Sequence, residues 1–150
     1  VFLRNIRKIS IFAKKYNIKI IIENNVITKS NLKEFGKNPL LMCEPAECLK
    51  LLKKFPKNVK MLLDVAHLKV SSRTLGFKKE NMFLKCKDFI LGYHLSDNDG
   101  FRDSNKKFDS KSWFWEYLNT NLDYYSIEVY GESEKVLLNL QKIVLKKINV

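Results

Sequence analysis

At residues 89–103 the sequence reads FILGYHLSDNDGFRD, and this stretch decides the fold. An apolar run ends at His94, and acids, amides, a glycine and an arginine crowd into the next nine positions. In parallel α/β sheets, ligands bind at the carboxyl ends of the strands, where buried strands give way to polar loops. If other strands of this chain end in the same way, their polar ends are predicted to form one site.

The composition indicates one domain with reduced thiols. At 150 residues, 45% of them hydrophobic, the chain is long enough to bury a core. The chain has three cysteines, Cys43, Cys48 and Cys86. Their number is odd and they form no Cys-x-x-Cys pair, which favours reduced thiols in the cytoplasm. No apolar run approaches the roughly 20 residues of a membrane helix. Because the chain starts without methionine, it is expected to be a fragment or a trimmed product.

The formal net charge of +12 invites a nucleic-acid interpretation. The basic residues are nearly all lysines, however, and lysine pairs are scattered through helix-like segments. Solvated helix faces explain most of this charge. A small-molecule partner is therefore predicted rather than nucleic acid.

Hydrophobic periodicity predicts a helix followed by four strand–helix repeats. The predicted strands are 18–22, 59–63, 88–93 and 124–127. The first of them is expected to be buried on both faces. Single helices are predicted at 1–17, 45–55, 110–118 and 132–148, and two short helices within 68–87, divided near Gly76. Residues 26–43 are predicted to be mostly loop. Such alternation is typical of an α/β fold with a parallel sheet and crossover helices. The sequence contains no glycine-rich phosphate loop of either common type.

All four predicted strands end at a residue that can bind a metal: Glu23, Asp64, His94 and Glu128. Taken singly, an acid after a strand is more typical of a helix cap, and a lone histidine of a structural residue. Both histidines of the chain nevertheless fall beside these acids, the second being His67. The carboxyl ends of parallel strands meet at one mouth. Three carboxylates and an imidazole there would suit one divalent ion, either Mn, Mg, Co or Zn.

Four segments resemble the xylose isomerase-like barrel superfamily: IIIEN at 20–24, LLDVAH at 62–67, HLSDN at 94–98 and IEV at 127–129. That superfamily holds sugar isomerases and epimerases together with apurinic-site nucleases of the endonuclease IV type. The resemblance covers essentially the whole chain but only the second half of the family's barrel. It implies that residues 1–150 are one domain, made of parallel (β/α) units of a TIM barrel, with four of the eight strands present. Because a half or truncated barrel exposes two strand edges, either a missing N-terminal half or a second copy is expected to complete it.

The resemblance also implies a reaction. One divalent metal, held by the four strand-end residues, would polarise the carbonyl of a sugar or sugar phosphate. Glu23 and Glu128 would exchange the proton next to that carbonyl through a metal-stabilised enediolate, giving isomerisation or epimerisation. The residues expected to bind the substrate are Asn24, His67, Asp97, Arg102 and Asp103. Arg102 is either an anchor for a phosphate or carboxylate or simply an exposed loop arginine.

Two alternatives remain. The nuclease branch uses several metals and an Asp-x-His motif after the third strand, where this chain has Asp103-Ser-Asn105. Asparagine is a poor replacement for imidazole, so sugar chemistry is favoured. The other alternative is a truncated, non-catalytic relic, which keeps the metal-binding residues but catalyses no reaction.

Overall fold

Short hydrophobic runs form all four strands of one parallel sheet in the computed structural model, which describes residues 1–148. The strands are β1 (Ile20–Glu23), β2 (Val59–Asp64), β3 (Ile90–Leu95) and β4 (Tyr124–Ile127). The helices are α1 (Phe2–Lys15), α2 (Lys29–Phe35), α3 (Pro45–Leu52), α4 (Val65–Leu75), α5 (Glu80–Cys86) and α6 (Glu134–Lys147), and a 3₁₀ turn, Lys87–Phe89, precedes β3. The predicted alternation of strands and helices is confirmed, except that no helix lies between β3 and β4 in the described residues.

The strands lie side by side in chain order, β1-β2-β3-β4, and every neighbouring pair is parallel. The register places Asp64 beside His94, and His94 beside Ser126. All four carboxyl ends therefore point to the same edge of the sheet, as the sequence predicted.

The ends of the four strands converge. Donor atoms of Glu23 and Glu128, at the ends of the two edge strands β1 and β4, lie within 4.8 Å of each other. Gly92 assists the close approach of β3 and β4, because a Cβ there would lie 2.6 Å from the carbonyl oxygen of Tyr124. The side chains at the four strand ends can therefore form one site.

The core lies between the sheet and the helices, and it is centred on β2 and β3. Its largest fully buried side chains include Tyr93, Phe114, Met61, Leu63, Leu68 and Met82. The prediction that the first strand is buried on both faces is wrong. All four residues of β1 are only half-buried, because β1 is an edge strand with a neighbour on one side.

Several local predictions need correction. The segment 110–118 forms turns instead of a helix, held by the Trp115 indole, which donates to the carbonyl of Asp109 at 2.7 Å. Residues 29–35, predicted as loop, form α2, and Thr28 and Asn31 close a reciprocal capping box at its start. The third strand begins at Ile90, two residues later than predicted. The three cysteines are free and buried, as expected. Within residues 1–148 no helix has both the length and the apolar character needed to cross a membrane.

Candidate metal centre

Each predicted metal ligand is placed by the end of a different strand. Glu23 is the last residue of β1, and Asp64 is the last residue of β2 and the N-cap of α4. His94 lies one residue before the end of β3. Glu128 follows β4 directly, and its N–H donates to the carbonyl of Leu95 at 3.1 Å, so that the β3–β4 ladder fixes its backbone.

These four residues converge on one point. Each offers one donor atom, and the four atoms all lie within 4.8 Å of one another. His94 Nδ1 is central: it lies 2.7 Å from Glu128 Oε2, 3.3 Å from Glu23 Oε1 and 3.8 Å from Asp64 Oδ2. Among residues 1–148, this is the one such group of metal-binding side chains.

Three of the donor atoms are buried without a hydrogen-bond partner among residues 1–148: Asp64 Oδ2, His94 Nδ1 and Glu128 Oε2. His94 Nδ1 and Glu128 Oε2 are close, yet they do not meet the geometry of a hydrogen bond. A buried polar atom without a partner destabilises a protein by about 1–3 kcal/mol. Three such atoms turned toward one point are what a missing ligand would leave behind.

The second carboxylate oxygen of Asp64 and that of Glu128 each accept a hydrogen bond within the protein. Asp64 Oδ1 accepts the backbone N–H of His67 at 2.7 Å, and Glu128 Oε1 accepts the hydroxyl of Tyr130 at 2.6 Å. Each carboxylate is thus oriented through one oxygen and presents the other to the centre. Two ligands of one ion at 2.0–2.2 Å can lie at most about 4.4 Å apart. The four donor atoms lie within 4.8 Å of one another, which is close to this maximum, so the donor set fits one divalent ion.

Electrostatics at this centre favour a bound cation. Burial raises the pKa of Asp64 to about 6. The close contact of Glu23 Oε1 with His94 Nδ1, at 3.3 Å, lowers the pKa of Glu23 below its usual value, and the same contact raises the pKa of His94. In the absence of an ion, the raised pKa favours the protonated form of His94, whose positive charge would lie among these carboxylates. A divalent cation would take that role and leave the imidazole neutral, as a ligand must be.

His67 lies beside the donor set with both ring nitrogens in contact with protein. Its Nδ1 lies 2.9 Å from the carbonyl of Asn24 and 3.4 Å from Glu23 Oε1, and its Nε2 lies 3.1 Å from Asp103 Oδ2. Burial of the ring lowers its pKa, but the hydrogen bond to Asp103 and the charge of Asp64 outweigh burial and raise the pKa to about 9. A pKa of about 9 favours the imidazolium form of His67 at neutral pH, with an acceptor oxygen close to each ring nitrogen. Substrate binding by His67 and Asp103 stays a prediction.

Asn24 ties the ends of β1 and β2 together. Its amide Nδ2 donates to the carbonyl of Asp64 at 3.1 Å, and its Oδ1 accepts the N–H of Asp64 at 2.7 Å. The side chain is buried, with 2% of the residue exposed. Substrate binding by Asn24 also stays a prediction, and the contacts observed are those of a residue that positions Glu23 and Asp64.

The last two predicted substrate contacts lie in the loop after β3. Asp97 forms an ion pair with Lys69 at 2.6 Å and accepts the N–H of Asn98 at 2.8 Å. Arg102 is exposed and lines a separate small cavity beside Arg73. The structure therefore does not bring these two residues into the ligand group, and their binding of substrate stays a prediction.

Tyr130 is the site residue that the sequence interpretation missed. In extended chain, residues i and i+2 project to the same side, so a tyrosine two positions after Glu128 was a usable signal. Its backbone N–H donates to the carbonyl of Asn105 at 3.1 Å, which places the ring beside Glu128.

Comparison with known proteins supports the fold. No protein-family model matches the sequence, and no curated protein matches it. Among solved structures, the chain is similar to one named "putative xylose isomerase" from Rhodospirillum rubrum, with a TM-score of 0.59 and 16% identity. The match covers 95% of this chain and 50% of that chain, so this chain spans half the length of its structural neighbour. The chain thus shares the α/β fold of about half of that structure.

Proposed function

We propose that the chain carries the metal centre of a divalent-metal-dependent isomerase or epimerase that acts on a sugar or sugar phosphate. The observation that supports this most is the set of three buried donor atoms without hydrogen bonds at four converging strand ends. The ligands would be Glu23, Asp64, His94 and Glu128. When bound, the ion would act as a Lewis acid on the carbonyl of the substrate.

The two glutamates would move the proton. Glu23 and Glu128 approach His94 from opposite edges of the sheet, and their side chains stay 36% and 25% exposed, so substrate can reach them. The lowered pKa of Glu23 keeps it as a carboxylate, the form that accepts a proton. Tyr130 holds one oxygen of Glu128, which leaves the other oxygen directed at the centre.

The nuclease alternative finds little support in this geometry. A multi-metal cluster would need ligands beyond the four, and residues 1–148 contain one group of that kind. Asp103 is bound to His67, and Asn105 is buried with its carbonyl bound to the backbone of Tyr130. The hypothesis of a relic without turnover predicts metal binding with no proton transfer, so the experiment below separates it from the proposal.

Four more β/α units would complete the barrel, supplied by an N-terminal half or by a second copy. The edge strands β1 and β4 are each paired on one side only. The first and last helices expose apolar side chains: Ile9, Ile11 and Phe12 on α1, and Leu137, Leu138 and Leu145 on α6. Edges of this kind are normally covered. Light scattering over a range of concentrations would show whether copies of the chain associate.

Solvent exchange tests the reaction without knowledge of the substrate. The protein is loaded with Mn²⁺ and incubated in D₂O with a panel of ketoses and ketose phosphates, and deuterium at the carbon next to the carbonyl is measured by mass spectrometry. We expect exchange that Glu23→Gln and Glu128→Gln each abolish. The control is Glu132→Gln, which removes a glutamate paired with Lys107 away from the donor set. Metal analysis should give one ion per chain; three ions would favour the nuclease, and one ion without exchange on any sugar would favour the relic.

A further inference from the structure

We propose that a small cationic cavity beside the metal centre binds the phosphate group of the substrate, an inference that rests on the proposed function. The cavity has a volume of about 180 Å³, and its lining includes Lys29, Arg73 and Arg102 together with the hydroxyl residues Ser30 and Thr74. No acidic residue lines it. It is referred to below as the cationic cavity.

The three cations of the cationic cavity lack ordinary partners. None of them forms an ion pair with an acid among residues 1–148, whereas Lys69 in the same region is paired with Asp97. Three positive charges around one small space repel each other unless an anion lies between them. Two arginines and a lysine beside hydroxyl groups are the donors that proteins use for phosphate oxygens.

The arginine on α4 is held in place before any ligand arrives. The guanidinium of Arg73 stacks on Phe101, with its central carbon 3.6 Å from the ring centroid. Gly100 has a positive φ of 78°, and a Cβ there would lie 3.4 Å from Arg73 Cδ, so glycine lets the loop lie close against this side chain. A stacked guanidinium still offers its N–H groups at the edge, where a phosphate oxygen can accept them.

The loop that carries Arg102 is also fixed. Asn98 Nδ2 donates to the carbonyl of Ala66 on α4 at 2.9 Å, and Asn98 Oδ1 accepts the N–H of Gly100 at 2.8 Å. Asp99 Oδ1 accepts the N–H groups of Phe101 and Arg102 at 2.8 and 3.1 Å, which fixes the backbone of this turn. The loop backbone and the stacked Arg73 are thus preorganised, which lowers the entropy lost on binding.

The cationic cavity is linked to the metal centre through a short series of contacts. Arg102 is followed by Asp103, which contacts His67 Nε2 at 3.1 Å, and His67 Nδ1 lies 3.4 Å from Glu23. Along α4, Arg73 is six residues beyond His67, a rise of about 9 Å. This spacing is comparable to the length of a short sugar chain. A substrate could therefore reach from the cavity to the donor set, with its phosphate at one end and its carbonyl at the other.

Binding of inorganic phosphate to the metal-free full chain tests the cavity by itself. Isothermal titration with EDTA present and ionic strength held constant should show binding that Lys29→Gln and Arg102→Gln each weaken about fivefold or more. Lys54→Gln is the matched control, because Lys54 lines a different basic cavity with Arg7, Lys14 and Lys57. If the wild type did not bind phosphate, the proposal would be overturned. An equal loss of affinity in Lys54→Gln would also overturn it, because such a loss indicates attraction to positive charge in general.

A second measurement ties the cavity to the substrate. In the deuterium-exchange assay, Arg102→Gln should raise the KM for a phosphorylated ketose at least tenfold and leave the KM for the unphosphorylated sugar unchanged. An equal effect on both sugars would contradict a phosphate site. Since the phosphate titration uses metal-free protein, it can succeed where the metal-dependent reaction fails, and the two proposals can fail separately.

Discussion

Replacement of Asp64 by asparagine should stabilise the metal-free protein and at the same time abolish its stabilisation by metal. Asp64 is completely buried, and burial raises its pKa from 3.8 to about 6. This difference corresponds to a destabilisation of about 3 kcal/mol at neutral pH, since one pKa unit is worth about 1.4 kcal/mol. Asparagine has nearly the same shape and is an equally good N-cap, so the hydrogen bond from the N–H of His67 can persist.

The effect should depend on pH with a definite sign. Because the folded pKa of Asp64 is higher than the unfolded value, the folded state holds a proton that the unfolded state releases between pH 3.8 and about 6. The destabilisation is thus absent below the unfolded pKa and is complete above the folded one. The free energy of unfolding of Asp64→Asn should match that of the wild type near about pH 3 and exceed it by about 2–3 kcal/mol at about pH 7.5.

Urea unfolding with EDTA, followed by the same measurement with Mn²⁺, checks both halves of the prediction. A ligand at 100 times its Kd stabilises a protein by about 2.7 kcal/mol, which the wild type should gain and the variant should not. Asp97→Asn is the control, because it removes an ion pair with Lys69 and should destabilise the protein with or without metal. If Asp64→Asn were the less stable protein in EDTA at neutral pH, the electrostatic reasoning would be refuted.

Two further substitutions test the surroundings of the centre. Tyr130→Phe removes the hydroxyl that donates to Glu128 Oε1, and loss of such a contact should weaken metal binding about tenfold or more, measured by titration calorimetry. Unchanged affinity would show that Tyr130 does not orient the ligand. Gly92→Ala places a Cβ 2.6 Å from the carbonyl of Tyr124 and should lower the free energy of unfolding by about 1–3 kcal/mol, measured in urea. An unchanged value would show that β3 and β4 can separate without loss.

Local signals in the sequence were enough to predict that Glu23, Asp64, His94 and Glu128 lie together. The runs before Glu23 and Asp64 are short and aliphatic, so their ends could be placed to within a residue or two. Parallel strands share one edge, and this rule then brought four distant residues together with no knowledge of side-chain contacts. The structure does bring these four together, and whether they bind an ion is what the titrations test.

Features that depend on tertiary contacts were not predictable in this way. The segment 110–118 has helix-compatible residues, but burial of Phe114 among other aromatic rings selects turns instead. The exposure of β1 depends on its position at the edge of the sheet, which its own sequence does not reveal. Helix α2 is a different case, because the reciprocal cap of Thr28 and Asn31 was visible in the sequence and was overlooked.

Asp64 shows why helix capping and metal binding are not exclusive interpretations of an acid at a strand end. Its Oδ1 caps α4, and its Oδ2 is buried without a hydrogen-bond partner among residues 1–148. A cap alone would be satisfied by asparagine or serine, neither of which requires a charge to be buried. A residue that keeps a destabilising charge at such a position violates the local rules of folding, and violations of this kind concentrate at functional sites. The buried charge of Asp64 is therefore better explained by a cation at the centre than by the needs of the helix.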